Sequence, residues 1–264
     1  MAATRSETLE ATAQQLREAY KYGPVPPLRD VLRPDDVDGA YAVQQINTRH
    51  WQGEGRRIVG RKIGLTAAAV QEQLGVDQPD FGVLFSDMQV PGGGSLQAGA
   101  LLQGKVETEV ALVMGRDLDN PQAGFVDVLN AAAYALPALE IVDSRIADWK
   151  ITFADTVADN ASSAFFVLGR EPRSLAGLDL RTCGMVMEIN GKVASLGAGA
   201  ACLGHPLEAA AWLAATLARR GDPLRAGDIV LTGALGPMAP LLPGTQVHAT
   251  VGGLGDVGFI YEKE

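Results

Sequence analysis

The sequence predicts an α+β chain built on a rolled, mixed sheet, and two observations carry that reading. Beyond residue 100, strand-like runs outnumber helical ones and do not alternate regularly with them, as a doubly wound fold would require. The strongest short turn signal in the chain, Asn190-Gly191, joins two short runs as a hairpin, and the C-terminal stretch is rich in strand-like runs.

Taken in order, residues 6–20 read as a helix, with Leu9, Ala13, Leu16 and Ala19 near helical spacing. Pro24, Pro26 and Pro27 break it, because a proline ring cannot sit inside a helix. A second helix spans residues 37–51, capped by Asp35 or Asp36 and striped by Ala40, Val43 and Ile46. Residues 57–66 form a short strand interrupted by glycines. Thr66 then caps a helix through Ala67, Val70 and Leu74, which Gly75 ends. Residues 77–82, with a proline and two acids, read as a fixed turn, and residues 90–95 as a flexible connector. The chain is therefore expected to divide into an N-terminal helical/α+β segment, residues 1–90, packed on a main domain, residues 91–264.

In the main domain, residues 105–114 are a strand, and a helix over 125–135 leads into a second strand ending at Val142. Residues 155–163 read as a polar loop before a strand over 164–168. The hairpin pairs residues 185–189 with 192–195. Pro206 opens a helix through Leu217, closed by Arg219, Arg220 and Gly221, and strands over 228–232, 245–251 and 257–261 finish the chain.

At 264 residues the chain can bury a sizeable core, and its 47% apolar and 20% charged content is that of a folded soluble protein. A formal charge of −9 argues against nucleic acid, whose phosphates want a basic surface. No apolar window is long enough for a membrane span, and residues 1–15 lack the apolar run of a signal peptide. Two cysteines, Cys183 and Cys202, cannot staple a fold of this size and lack zinc-ligand spacing, so a reducing cytoplasm is the expected compartment.

The chemistry concentrates in the run from Lys105 to Met114. Alternation along a strand puts Glu107, Glu109, Ala111 and Val113 on one face and Thr108, Val110, Leu112 and Met114 on the other. Two carboxylates held two residues apart repel, and need a cation, a shared proton or open water. Glu140 is the only ionisable group in the apolar run 135–142, where a lone buried carboxylate is costly. Three such oxygen donors suit a hard divalent cation, Mg²⁺ or Mn²⁺. The competing reading makes Glu107 and Glu109 the wet face of a half-exposed sheet, with Glu140 neutralised by Arg145.

Other motifs carry less. Residues 253–258 fit the dinucleotide-binding glycine pattern, but strand-like residues follow where a helix N-terminus must hold the pyrophosphate. His50, His205 and His248 are far apart, none lies in the acidic segments, and no Gly-x-Ser-x-Gly occurs. Acid–base chemistry therefore falls to a carboxylate or a lysine.

Seven segments, in order from about residue 10 to 260, resemble the 2-hydroxypenta-2,4-dienoate (2-oxopent-4-enoate) hydratases of the fumarylacetoacetate hydrolase superfamily. They are Gly60-Arg-Lys-Ile-Gly-Leu-Thr66, Gly75-Val-Asp-Gln-Pro-Asp-Phe-Gly82, Glu107-x-Glu109, Leu136-Pro-Ala-Leu-Glu140, Val157-Ala-Asp-Asn-Ala-Ser162, Leu203-Gly-His-Pro206 and Leu231-Thr-Gly-Ala-Leu-Gly-Pro-Met238. The resemblance implies the mixed β-roll of that superfamily and a Mg²⁺ or Mn²⁺ held by Glu107, Glu109 and Glu140. It implies a small 2-oxo or 2-hydroxy dienoate substrate, ketonised and then hydrated at C4 to 4-hydroxy-2-oxopentanoate in the meta-cleavage catabolism of aromatic compounds. It also implies a homo-oligomer, pentamer or decamer. Lys62 is expected to stabilise the enolate or carboxylate and Asp80 to act as acid–base, with Leu65, Ser162, Thr232 and Gly233 lining the pocket. Outside that context Lys62 would read as a surface ion pair and Asp80 as a turn residue. The 4-oxalocrotonate decarboxylases share most of these segments and are the alternative; they would need a cationic pocket for a second carboxylate. A non-catalytic partner of a neighbouring pathway enzyme is the rival from another class, and the intact acids and Lys62 argue against it.

Overall fold

The strand predicted around the paired glutamates is the spine of the observed architecture. The computed structural model describes residues 4–263. In chain order it contains α1 (Arg5–Tyr22), α2 (Val37–Gly53), β1 (Ile58–Gly64), α3 (Ala68–Leu74), β2 (Asp80–Phe85), β3 (Gln89–Val90), β4 (Ser95–Leu96), β5 (Lys105–Met114), α4 (Phe125–Ala131) and β6 (Ala132–Val142). There follow α5 (Phe153–Ala158), β7 (Ser163–Leu168), β8 (Gly184–Ile189), β9 (Lys192–Ala198), α6 (Pro206–Arg219), β10 (Ile229–Ala234), β11 (Ala239–Pro240), β12 (Thr245–Val251) and β13 (Gly255–Tyr261).

The helices start where side chains can satisfy their free N–H groups. Thr4 and Glu7 form a reciprocal capping box on α1, and Asp36 accepts the Gly39 N–H at 3.0 Å to begin α2. Both helices turn their apolar stripes inward: Ala13, Leu16 and Ala19 from α1, and Ala40 and Val43 from α2. Gly75 closes α3 in the left-handed conformation, as expected. Thr66 does not cap that helix; Ala67 stands at the cap position and makes no side-chain bond to the helix.

Two sheets are wound together. The eight-stranded sheet has the order β2-β1-β10-β5-β6-β7-β3, with β11 also paired to β5. It is mixed: β1–β10 and β3–β7 are parallel, and the remaining pairs antiparallel. The second sheet has five strands in the order β4-β13-β12-β8-β9. Its β8–β9 hairpin turns through Asn190 and Gly191, both with positive φ, which the right-handed twist of a tight hairpin favours. β1, β2 and β3, from the first 90 residues, lie in the same sheet as β5, β6 and β10.

Both faces of β5 are covered. Val106, Val110, Leu112 and Met114 belong to the large core, while Ala111 packs with Leu136, Ala138 and Leu231 in a second cluster on the opposite face. A half-exposed sheet with a wet glutamate face is thus replaced by a strand buried on both sides.

Three expectations change. The helix expected over 125–135 stops at Ala131, because the alanine-rich run from Ala132 pairs with β5 along its length. The polar loop expected over 155–163 begins as α5, with Thr152 and Asp155 forming its capping box. The turn expected over 77–82 gives way at Asp80 to β2, every residue of which is buried. No helix among the described residues is long and apolar enough to cross a membrane.

Candidate metal centre and active site

Strand register gathers the acids. β5 and β6 run antiparallel with Glu107 directly opposite Glu140, and Glu109 follows two residues along on the same face. One carboxylate oxygen from each of the three lies within 4.8 Å of the others, and all three residues are buried. β1 brings in Lys62, whose Nζ stands 3.1 Å from Glu140 Oε1, the two side chains being 3% and 0% exposed. Asp80 opens β2 opposite Gly64 and is 1% exposed. The close approach of Asp80 requires that glycine: a Cβ on Gly64 would stand 2.2 Å from Asp80 Oδ1.

Four carboxyl groups and one ammonium therefore share a buried space, none of the five residues more than 8% exposed. Burial raises Glu107 to about 7, the Glu140 charge adding to the effect and Lys62 opposing it. Burial, then Glu140 and Glu107, hold Glu109 well above its usual range. Asp80 is raised to about 6 by burial, against the pull of Lys62. Burial alone would lower Lys62, but the surrounding carboxylates outweigh it and hold the ammonium charged.

Several buried polar atoms here lack a hydrogen-bond partner among the described residues: Asp80 Oδ1, Glu109 Oε1, Glu140 Oε2 and Ser162 Oγ. Such atoms are costly unless something else meets them. A cavity of about 100 Å³ reaches Asp80 and Ser162 among them, lined by Lys62, Asp80, Glu107 and Ser162 together with Val70, Trp149, Ile151 and Met238 among its apolar walls. Larger cavities, of about 570 Å³ between α2 and the end of α6 and about 470 Å³ beside α1, contain none of the four carboxyl groups.

Leu65 and Ser162 line this cavity. Thr232 and Gly233 stand behind it instead. The Thr232 hydroxyl donates to the Val110 carbonyl at 2.9 Å, and the Gly233 N–H donates to Glu109 Oε2 at 2.8 Å. Gly233 has φ +113°, and a Cβ there would meet Thr66 at 2.4 Å, so Thr66, expected to cap a helix, packs against this glycine instead.

Arg145 is not the partner of Glu140. It is buried with its guanidinium on Asp159 and on the carbonyls of Asp143, Ser163 and Asp159. Trp149, Ile151, Thr156 and Met238 also line the site and were not among the expected site residues, since none of them is itself ionisable. Trp149 is held by its Nε1–H to the Gln103 carbonyl at 2.9 Å, with Lys105 Nζ 4.0 Å above its ring. The histidines stay away: His205 caps α6 by accepting the Leu207 N–H at 3.0 Å, and His50 and His248 are surface residues. The glycine pattern at 253–258 runs into β13.

Comparisons with known proteins show what the chain as a whole is similar to. A model of the Fumarylacetoacetate (FAA) hydrolase C-terminal family matches residues 60–259. 2-Keto-4-pentenoate hydratase 2 of Dechloromonas aromatica (strain RCB) is 56% identical over 253 residues, 96% of this chain and 97% of that one. 2-Keto-4-pentenoate hydratase of Paraburkholderia xenovorans (strain LB400) is 53% identical over 255 residues, 96% of this chain and 95% of that one. Among solved structures, 4-oxalocrotonate decarboxylase from Pseudomonas putida G7, complexed with magnesium and adipate, superposes with a TM-score of 0.92 at 38% identity, covering 98% of this chain and 99% of that one.

Proposed function

The chain belongs to the fumarylacetoacetate hydrolase family, and from that premise we propose a divalent-metal-dependent hydratase that adds water to 2-hydroxypenta-2,4-dienoate (2-oxopent-4-enoate). The product is 4-hydroxy-2-oxopentanoate, and the reaction serves the meta-cleavage catabolism of aromatic compounds. The observation that carries the reading is the buried trio Glu107, Glu109 and Glu140, whose ligand atoms lie within 4.8 Å of one another.

The trio fits a hard cation. Four carboxyl groups against one lysine leave an excess of negative charge, and Glu109 Oε1 and Glu140 Oε2 have no partner among the described residues. Glu107, Glu109 and Glu140 would hold Mg²⁺ or Mn²⁺, which supplies a Lewis acid drawing charge from an α-keto acid's 2-oxygen. The side chains of the site do the rest. Lys62 places a permanent positive charge beside Glu140, where it steadies a substrate carboxylate or enolate. Asp80, raised to about 6, can both give and take a proton near neutral pH, relaying the 2-hydroxyl proton to the far carbon during ketonisation and, as hydroxide adds at C4, relaying the water's other proton to C3. Ser162 Oγ offers a free hydroxyl to the same space, and Leu65 with the apolar walls keeps stray water out.

The cavity favours hydration over decarboxylation. Among the described residues Lys62 is the only cation lining it, already engaged by Glu140, and Val70, Trp149, Ile151 and Met238 are among its apolar walls. On these apolar walls a second substrate carboxylate would lose its hydration, whereas a vinyl end would lose water at little cost.

The same reading extends to a homo-oligomer, pentamer or decamer, in a reducing cytoplasm, and to association with a neighbouring pathway enzyme. Its support is the family, the two free buried thiols Cys183 and Cys202, and the outward-facing pair Val186 and Leu196, 38% and 62% exposed and opposite each other in register.

The test is loss of dienoate absorbance with added Mg²⁺ or Mn²⁺, against chelated enzyme, with 4-oxalocrotonate offered in parallel. Metal-dependent formation of 4-hydroxy-2-oxopentanoate without CO₂ release supports the hydratase. CO₂ from the dicarboxylate, with the dienoate untouched, would replace it by the decarboxylase.

A further inference from the structure

The turn between α5 and β7 holds three consecutive non-glycine residues with positive φ: Asn160 at 55°, Ala161 at 51° and Ser162 at 54°. L-residues avoid that region, so something nearby must impose it. The Asp143 N–H and the Arg145 guanidinium hold Ser162 and Asp159 from the β6 side, and the fastener to β2 is the Asn160 side chain. Its Nδ2 donates to the Val83 carbonyl at 3.0 Å, and its Oδ1 accepts the Val83 N–H at 2.7 Å.

Val83 sits in the middle of β2, the end strand of the large sheet, whose one neighbour is β1. The amide thus takes the place of a missing strand on that edge, satisfying a buried donor and a buried acceptor together. The fit is close: a Cβ on Gly82 would stand 2.4 Å from the Asn160 carbonyl oxygen. Among the described residues, these are the only hydrogen bonds joining the turn to β2.

Both ends of this clip lead to the site. Three residues before Val83 is Asp80, and two residues after Asn160 is Ser162. Asp80 Oδ1 and Ser162 Oγ are buried, unpartnered and on the same cavity.

We propose that Asn160 is a positioning residue for the reaction, its amide holding the Ser162 turn against the strand that Asp80 opens. The two free polar groups then keep one spacing around the substrate. The role rests on reading this cavity as a hydratase site. Asparagine suits it doubly, tolerating positive φ and offering a donor and an acceptor on one planar group, where aspartate would offer acceptors alone.

The test compares Mg²⁺-loaded wild type with Asn160→Gly, which keeps the backbone preference and removes the clip, each with and without Ser162→Ala. Misplacement of a reacting group by about 1 Å can cost on the order of 100-fold, so kcat for 2-hydroxypenta-2,4-dienoate is expected to fall by about that factor. Mn²⁺ affinity should stay within about twofold, because the glutamates stand on other strands. In the Ser162→Ala background the added loss should shrink to about threefold or less, since residues acting through one another are not additive. A kcat for Asn160→Gly within about threefold of wild type, or equal losses in both backgrounds, overturns the proposal. Should Asn160→Gly fail to fold, Asn160→Asp, which keeps an acceptor for the Val83 N–H, enters the same comparison under the same criteria. Wild-type enzyme inert toward the dienoate would instead sink the hydratase reading, and this role with it.

Discussion

Replacing Lys62 by methionine isolates the one positive charge in the site with little change of volume. Lys62 Nζ and Glu140 Oε1 are 3.1 Å apart, and neither side chain is more than 3% exposed. Removing one member of so buried a pair costs about 3–5 kcal/mol, because the other charge is left without a partner. At about 2–4 °C per kcal/mol for a chain of this size, metal-free Lys62→Met should melt roughly 6–20 °C below metal-free wild type. The low end applies if a carboxyl takes up a proton in place of the lost ammonium. Saturating Mg²⁺ should then recover more of the melting temperature in the variant than in wild type, since the cation no longer shares the site with an ammonium. Turnover should stay about 100-fold or more below wild type even with metal bound, the usual loss when one preorganised charge-stabilising group is removed. Scanning calorimetry in chelator and in Mg²⁺, with the dienoate assay alongside, reads all three. A metal-free melting temperature within about 2 °C of wild type would refute the buried pair and the charge accounting built on it.

Other outcomes follow from the same geometry. Glu107 and Asp80 have folded-state values near 7 and 6 against ordinary values of 4.5 and 3.8, so the stability they contribute is present at low pH and lost as pH rises through that window. Metal-free protein should therefore melt lower at pH 7.5 than at pH 5, while the Mg²⁺-induced rise in melting temperature grows over the same range, because the cation needs deprotonated ligands; calorimetry across pH checks both. Glu109→Gln should weaken Mn²⁺ binding by about 100-fold or more, measured by the paramagnetic signal of free Mn²⁺. The same variant should raise the metal-free melting temperature, since one of three crowded carboxylates is gone. Gly64→Ala would press a methyl group to 2.2 Å from Asp80 Oδ1; it should cost about 1–3 kcal/mol in denaturant unfolding and lower kcat by displacing that carboxylate.

Much of the site was legible because it obeys local rules. Two glutamates at spacing two on a strand must share a face, and an acid alone in an apolar run must meet a cation, so Glu107, Glu109 and Glu140 stood out. That Glu107 faces Glu140 across a strand pair depends on register, which no single segment encodes. The partner of Glu140 shows the same limit: Arg145 is nearer in sequence, but Asp159 and three carbonyls claim it, and Lys62 arrives from a strand 78 residues earlier. The start of β2 was read as the end of a turn over 77–82 because Asp, Pro and Gly punctuate that run, yet the strand's edge is closed by the Asn160 amide, a contact invisible in any local pattern. The end of α4 was misplaced because an alanine-rich run suits helix and strand alike until pairing with β5 decides. Thr232 and Gly233 were expected in the pocket wall. Thr232 instead spends its hydroxyl on Val110, and Gly233 its N–H on Glu109, so they support a carboxylate from behind.

The most direct test is anomalous diffraction from crystals grown with Mn²⁺ in place of Mg²⁺. The expected result is one strong peak per chain, touched by a carboxylate oxygen from each of Glu107, Glu109 and Glu140, with Lys62 Nζ still beside Glu140. A peak elsewhere, or none with the three glutamates turned apart, would contradict the account at its root.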